Sequence, residues 1–298
     1  ISLPAQGGPS IPLLQHMGRT KYRGAAKILG GTGVSSLPGF RVLNELFVER
    51  LRSNTVEIDG HRFHLDPTDS LLLSVMGTFE PAETELIARR VRPGATVLDI
   101  GANIGYFSLL LARCVGPAGH VYAFEPEPRN YKLLVRNAGE NGYGNVTCVQ
   151  AAAAAENGST TLYLANDNAV DHRVSPGEDE RETLKVRALR VDDYLSNVAQ
   201  LDFIKIDVQG AELGVVQGMS GLLERSPRAE MLIEYWPFGL ARAGVEPRAV
   251  LDFLDTHGFA LHVSSDPDKR VSIDELLDRV GPDEDQFINL YAARGGAR

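Results

Sequence analysis

The chain has 298 residues, 43% of which are hydrophobic, and its formal net charge at pH 7 is −9. This length and composition are typical of a globular protein with one large domain, or with one domain and an extension. The acidic balance and the absence of a long Lys/Arg run argue against a protein that binds the nucleic-acid backbone. No apolar stretch approaches the length of a membrane span.

Two further features indicate a cytoplasmic protein. The only cysteines, Cys114 and Cys148, match no metal-binding or redox spacing, as is usual in a reducing compartment. The first residues lack the basic segment and long apolar run of a signal peptide. We therefore expect a cytoplasmic protein without a membrane partner or a nucleic-acid partner.

Residues 1–75 are predicted to form an N-terminal extension. Their first part is rich in Gly, Pro and Ser, with a weak helical stretch at 21–29 and helical periodicity at 41–51. Two alternating runs then flank Asp59-Gly60, which predicts a β-hairpin with a two-residue turn. This extension could pair with a second copy to give a homodimer, or it could cover the main domain.

Residues 76–298 are predicted to form the main domain, an α/β fold. Apolar strands alternate with helical segments, which predicts a parallel sheet buried on both faces. The predicted strands are "ATVLDIG", "HVYAFEP", "VTCVQAAAA", "LDFIKID" and "AEMLIEYW". The last two strands, "FALHVS" and "QFINLYAAR", are joined by an acidic stretch that could hold a short helix. We expect them to pair antiparallel at a sheet edge.

The turn after the first of these strands, in "VLDIGANIGYFS", predicts a binding site for an adenosine cofactor. A dinucleotide fingerprint needs glycine at the positions of Asn103 and Tyr106, and no Gly-Lys-Ser/Thr of a phosphate loop follows. Gly101 lets the backbone approach a ligand closely, and an acid at Asp99 would attract an ammonium group. The helix after Gly105 offers free N–H groups to a carboxylate. Ammonium, carboxylate and adenosine together describe S-adenosylmethionine.

The second strand ends at Glu125-Pro126, where an acidic side chain would accept the ribose hydroxyls. NAD-binding proteins also carry an acid at this place, so it is the glycine spacing, and not Glu125, that distinguishes an S-adenosylmethionine site from a dinucleotide site. Alternatively, Asp99 and Glu125 are strand-end carboxylates that cap the next helices. The alanines 151–155, with Ala152 among them, are either low-complexity sequence or small residues that let adenine lie against the backbone.

The chain resembles the FkbM-type S-adenosylmethionine-dependent methyltransferases over residues 76–264. The motifs "DIGANIGYFS", "FEPEP" and "IKIDVQGAE" carry the resemblance, and Gln209 stands where many members have Glu. The resemblance implies the Rossmann-like class I methyltransferase fold, a mostly parallel seven-stranded sheet with an antiparallel last strand. It also implies O-methylation of a hydroxyl on a sugar, glycoside, polyketide or related natural product.

Ligands of such a sheet gather at the carboxyl ends of its parallel strands. We expect a cofactor site of eight residues there: Asp99, Gly101, Asn103, Gly105, Glu125, Pro126, Ala152 and Asp207.

A hydroxyl loses its proton as it attacks, so a proton acceptor is needed. The candidates are Asp207, which could instead orient the cofactor, His172, which could be an exposed loop residue, and Glu234, which could be a buried, paired carboxylate. Asp171, His172 and Asp207 could share a divalent ion, but no ligand spacing demands it, so no metal is predicted.

Four residues are candidates for contact with the methyl acceptor. They are Asp171, in a polar stretch at 166–183 typical of a lid, Glu212, which could instead cap a helix or lie on the surface, and Tyr235 and Trp236, which could instead pack against a helix. Three other functions stay open: methylation of nitrogen or of a peptide or carrier-bound substrate, a non-catalytic assembly role, and a dehydrogenase. Failure to bind S-adenosylmethionine would favour the last two.

Overall fold

A computed structural model describes residues 53–165, 172–176 and 180–294. The chain divides into two compact units, residues 1–79 and residues 80–298. This division lies a few residues beyond the boundary expected at 75. In the described part of the chain, no helix is both long and apolar enough to cross a membrane.

In the first unit, strands β1 (Thr55–Ile58) and β2 (His61–His64) pair antiparallel. The two turn residues have left-handed backbones, with φ of 49° at Asp59 and 80° at Gly60. Positive φ at both central residues is what a two-residue hairpin turn of this kind requires. A short helix, α1 (Leu73–Met76), follows the hairpin. The helices predicted at 21–29 and 41–51 lie outside the described residues.

The second unit alternates strands and helices. Its strands are β3 (Thr96–Ile100), β4 (His120–Phe124), β5 (Val146–Val149), β6 (Ala152–Ala154), β7 (Gly158–Leu164), β8 (Glu182–Arg190), β9 (Phe203–Ile206), β10 (Glu230–Tyr235), β11 (Phe259–Val263), β12 (Asp266–Arg270) and β13 (Ile288–Arg294). Its helices are α2 (Pro81–Arg90), α3 (Tyr106–Val115), α4 (Pro128–Glu140), α5 (Val191–Tyr194), α6 (Glu212–Gln217), α7 (Ser220–Glu224), α8 (Pro237–Arg242), α9 (Arg248–Thr256) and α10 (Ile273–Arg279).

The main sheet has the strand order β12-β11-β13-β10-β9-β3-β4-β5. Strands β5, β4, β3, β9 and β10 are parallel, and β13 runs antiparallel between β10 and β11. The expected seven-stranded sheet with an antiparallel last strand is therefore confirmed. The eighth strand, β12, was not predicted. It is largely exposed and charged, so it lacks the apolar alternation by which strands are recognised.

The central strands are buried on both faces, and their two faces differ in chemistry. Apolar residues of one face pack against α6 and α9 in a single core cluster: Leu98, Ile100, Ile204, Ile206, Met231, Ile233, Val215, Val216, Leu251 and Leu254. Because side chains alternate along a strand, Asp99 and Lys205 project from the opposite face. These two residues are direct partners in the pairing of β3 with β9. One sheet face thus carries buried charge close to the carboxyl ends of its strands.

Beside the main sheet, β6, β8 and β7 form a three-stranded sheet in that order. The alanines that suggested low-complexity sequence form strand β6, which pairs parallel with β8. The side chain of Ala152 packs with Leu162 and Val186 in a small apolar cluster. Because its methyl group packs inside the protein, only the backbone of Ala152 could contact an adenine.

Candidate active site

The turn between β3 and α3 is built around two glycines that no other residue could replace without strain. At Gly101, φ is 82°, and a Cβ would lie 1.8 Å from the backbone oxygen of Asp207 at the end of β9. At Gly105, φ is 94°, and a Cβ would lie 2.8 Å from Cδ1 of Leu134 in α4. The first glycine therefore brings two strand ends together, and the second seats α3 against α4.

Asp99 is fully buried beneath this turn. Its Oδ2 accepts a 2.5 Å hydrogen bond from Oγ of Ser108, while Oδ1 is buried without a hydrogen-bond partner among the described residues. Burial raises the pKa of Asp99, and the charge of Lys205 opposes that rise. A positively charged ligand group above the turn could offset the cost of burying this oxygen, either by electrostatic attraction to the carboxylate or through a bridging water.

Glu125 follows β4 and is held by the backbone. Its Oε2 accepts from the N–H of Asn103 at 2.8 Å, and its Oε1 accepts from the N–H of Glu127 at 2.8 Å. Asn103 has a left-handed backbone, with φ of 50°, which presents its N–H to this carboxylate. Each carboxylate oxygen can accept a second hydrogen bond, so the two hydroxyls of a ribose would complete the set. Glu125 thus fits the role that the sequence predicts.

The ends of β9 and β10 carry a hydrogen-bonded group of polar side chains. Asp207 accepts from Nζ of Lys205 at 3.2 Å and from Nε2 of Gln209 at 3.1 Å. The same Nε2 also donates to Oε1 of Glu234 at 2.8 Å. Asp207 is the more accessible carboxylate, with 24% of its side chain exposed, whereas Glu234 is buried. Because Asp207 also abuts Gly101, this group and the glycine turn form one site.

Lys205 is a buried cation in a group of carboxylates. Burial alone would lower its pKa, but the charges of Asp207, Asp99 and Glu80 raise it above the ordinary value, so the ammonium stays charged. Its Nζ also lies 4.6 Å from the ring centroid of Phe107, a cation–π contact. The positive charge offsets part of the cost of burying the carboxylates around it.

The carboxylates outnumber this cation, and their pKa values show the consequence. Burial, with the charges of Asp207, Glu212 and Glu80, raises the pKa of Glu234 well above its usual range. Burial is also the main cause that raises the pKa of Glu80 to about 7 and of Glu212 to about 7. Several carboxyl groups that act on one another and have strongly raised pKa values are typical of a functional site.

Three residues expected to contact a methyl acceptor are instead packed within the protein. Glu212, the first residue of α6, is fully buried, and its Oε1 accepts from the N–H of Gly210 in the turn that leads into the helix, so it neither caps α6 nor lies on the surface. Tyr235 belongs to the core cluster, and burial raises its pKa to about 12. The indole N–H of Trp236 donates to the backbone oxygen of Glu284 at 2.9 Å, which favours a packing role.

The remaining predicted residues are less well placed. Nδ1 of His172 accepts from the backbone N–H of Ala165 at 3.0 Å, so the neutral ring carries its proton on Nε2. In that tautomer neither nitrogen is free to take a proton, which weakens His172 as a base. Pro126 is partly buried between Glu125 and Glu127, and Asp171 lies outside the described residues. Among the described residues, no cluster of His, Cys, Asp or Glu has a geometry that could hold a metal.

Sequence reasoning missed Lys205, Gln209 and Glu80. A signal for Lys205 was present, because a lysine within "DFIKID" interrupts a strand that otherwise reads as buried on both faces. Gln209 differs from the Glu of many family members, which does not by itself indicate a role, and no pattern in the sequence marks Glu80, the residue before α2, as part of a site. Lys205 meets Asp99, and Gln209 meets Glu234, because β9 pairs with β3 and with β10, and no local pattern in the sequence gives these pairings.

Comparisons with known proteins agree with this architecture. Residues 99–261 match the model of the methyltransferase FkbM domain. The 31-O-demethyl-FK506 methyltransferase FkbM of Streptomyces tacrolimicus is 30% identical over 161 residues, covering 43% of this chain and 61% of that protein. The antimetabolite synthetase AmbE of Pseudomonas aeruginosa is 28% identical over 241 residues, covering 68% of this chain but 11% of that protein.

This chain therefore spans less than two thirds of the length of either relative. A crystal structure of the methyltransferase FkbM of Methylobacillus flagellatus is 15% identical, with a TM-score of 0.42, covering 76% of this chain and 55% of that chain.

Proposed function

Because this chain belongs to the FkbM-type family of S-adenosylmethionine-dependent methyltransferases, we propose that it transfers a methyl group to a hydroxyl oxygen of a small molecule. Sugars, glycosides and polyketide products are the substrate class. The observation that carries this proposal is the pair of carboxylates Asp207 and Glu234, bridged by Gln209 beside the glycine turn. A hydroxyl needs a proton acceptor near the methyl donor, and this pair supplies one.

The residues of the turn fit the expected cofactor. Glu125 would accept the ribose hydroxyls, Gly101 keeps the cofactor turn against the end of β9, and the buried charge of Asp99 would favour the ammonium group of the cofactor. When bound, S-adenosylmethionine supplies a methyl group already activated by the adjacent sulfonium. The protein's own task is then to position the hydroxyl and to take its proton, and positioning alone can supply up to ~7–11 kcal/mol.

Asp207 is the residue that we assign as proton acceptor. Its carboxylate is partly exposed at the site, whereas that of Glu234 is buried behind it. The Lys205 ammonium and the Gln209 amide both donate to Asp207, so its carboxylate is held in one orientation at the site. Burial and the neighbouring carboxylates raise the pKa of Glu234 well above its usual range, so Glu234 is the harder of the two to keep charged.

A second substrate class is favoured by one of the matches. The similarity to AmbE covers a larger part of this chain than the similarity to the Streptomyces enzyme, and AmbE is named as a synthetase of an antimetabolite. The match covers only 11% of AmbE, so that relative holds the similar region within a much longer synthetase. A methyl acceptor that is a peptide or is held on a carrier, with methylation of nitrogen or oxygen, is the alternative that such an arrangement would suit.

Radiolabelled S-adenosylmethionine with a small panel of acceptors tests the proposal. The panel is methyl glucoside, methyl rhamnoside, 31-O-demethyl-FK506 and glucosamine, with mass spectrometry to locate the added methyl group. An O-methylated product supports the proposal, and exclusive N-methylation of glucosamine favours the alternative. A protein that binds NAD but not S-adenosylmethionine in calorimetry would overturn both.

The affinity for S-adenosylmethionine is expected to depend on pH through Glu125. Burial raises the pKa of Glu125 to about 8, while the N–H groups of Glu127 and Asn103 lower it. Ribose hydroxyls donate best to the charged carboxylate, so below this pKa binding must first release a proton. We expect Kd to fall as pH rises toward about 8, by at most about tenfold per pH unit, and then to level off.

Calorimetry at several pH values measures this slope, with Glu125→Gln as the matched control. The variant has no proton to release at this position, so the part of the slope that comes from Glu125 should vanish. Equal slopes in both proteins would show that Glu125 does not contact the ribose as a carboxylate.

A further inference from the structure

The side chain of Gln209 occupies the centre of the site and does so in a fixed orientation. Its Nε2 lies 3.1 Å from Oδ1 of Asp207 and 2.8 Å from Oε1 of Glu234. The reverse amide orientation would place an oxygen against two carboxylates, so the N–H groups must face them.

The backbone holds Gln209 in this place. Its φ is 54°, a left-handed conformation that is uncommon for a residue with a side chain. At the next residue, Gly210, φ is 101° and a Cβ would lie 2.5 Å from the backbone oxygen of Gly239 in α8. The turn after β9 is therefore pressed against α8. Unfavourable backbone geometry that is kept by its surroundings is characteristic of functional sites.

The charges around Glu234 explain why an amide suits this position. Asp207, Glu212, Glu80 and Lys205 all act on Glu234, and only Lys205 among them is positive. A carboxylate at 209 would add another negative charge to this buried group. An amide provides two donors and no charge, so it can join two carboxylates without increasing the repulsion between them.

We propose that Gln209 is a positioning residue, whose amide links Asp207 to Glu234 and holds the Asp207 carboxylate oriented to take the proton of the methyl acceptor. This inference rests on the proposed function, since it assigns Gln209 a part in the same proton transfer. The amide contributes by its two hydrogen bonds and takes no proton itself.

Two variants separate the two contributions of Gln209. Gln209→Met removes both donors without adding charge, and Gln209→Glu keeps the side-chain shape but adds a carboxylate. Gln217→Met is the matched control, because Gln217 is exposed on α6. Calorimetry with S-adenosylmethionine checks that each variant is folded, and we expect Kd to change by less than about threefold, since no hydrogen bond of Glu125 is lost.

The first readout needs no methyl acceptor. Carbon-13 NMR of the carboxyl groups follows the titration of Glu234, whose signal is identified by its loss in Glu234→Gln. Losing a hydrogen bond to the charged form should move the titration midpoint up by about one pH unit in Gln209→Met, and further in Gln209→Glu. An unchanged midpoint in both variants would overturn the inference, whatever the methyl acceptor proves to be.

The second readout uses the panel member that the wild-type protein methylates. We expect kcat to fall at least tenfold in Gln209→Met and its rise with pH to begin at higher pH in both variants, with KM little changed. A purely structural role would lower kcat without moving the pH profile. If wild-type protein methylates the probe and the variants keep its kcat and pH profile, Gln209 is not a positioning residue and the proposed function stands. If wild-type protein methylates no probe, the proposed function fails, and the NMR midpoint decides the role of Gln209 separately.

Discussion

Replacing Asp207 by Asn is expected to lower kcat by roughly 10²–10⁴, while the Kd of S-adenosylmethionine stays nearly constant. The asparagine has almost the same shape and keeps the backbone oxygen that abuts Gly101. It cannot take a proton from a hydroxyl, and it no longer holds the negative charge that faces Lys205. Because Asp99 and Glu80 also act on Lys205, the buried ammonium keeps two opposite charges, so the site should stay folded.

Steady-state kinetics with the methylated panel member, paired with calorimetry, checks this result. Glu234→Gln is the comparison variant, because it removes the buried carboxylate and leaves the exposed one. We expect it to cost less in kcat than Asp207→Asn. The reverse order would make Glu234 the base. A rise in Kd that matches the fall in kcat would mean that Asp207 orients the cofactor and takes no proton.

The parts of the site that the sequence predicts are those set by local chemistry. The turn from Gly101 to Gly105 has a left-handed backbone at both glycines, a conformation that glycine adopts readily. The two glycines therefore predict the turn from the sequence alone. Glu125 follows a strand at a fixed place in a repeated strand–helix unit, so its position beside the turn follows from topology alone. The seven-stranded sheet with its antiparallel last strand, by contrast, is implied by the resemblance to the FkbM-type family.

The parts that the sequence does not predict depend on the sheet face that a side chain occupies and on contacts between distant strands. Glu234 and Tyr235 are neighbours in sequence, yet alternation sends one to the polar site and the other into the core. The sequence does not show which face of the sheet Tyr235 and Trp236 occupy, so it predicts a pocket wall and core packing equally well. Gln209 meets Glu234 only because β9 pairs with β10, a register that no local pattern states.

Replacing Gly101 by Ala is expected to weaken S-adenosylmethionine binding by more than about 100-fold, since backbone as well as side chain must move. The added Cβ would lie 1.8 Å from the backbone oxygen of Asp207, and a backbone atom cannot rotate away as a flexible side chain can. Either β3 or the end of β9 must shift, which would move Asp207 relative to the turn. Calorimetry with S-adenosylmethionine measures the loss.

Gly94→Ala separates this clash from the cost of the backbone conformation. Gly94 has φ of 83°, almost the same as the 82° of Gly101, but a Cβ there would meet no atom within 4 Å. Both variants are therefore destabilised by the left-handed backbone conformation, which costs an alanine about 1–2 kcal/mol. Only Gly101→Ala adds the clash with the backbone oxygen of Asp207. If the two variants bind S-adenosylmethionine equally well, the two strand ends need not touch, and Asp207 need not lie against the cofactor turn. If only Gly101→Ala loses binding, the join between the cofactor turn and the proton acceptor is what this glycine provides.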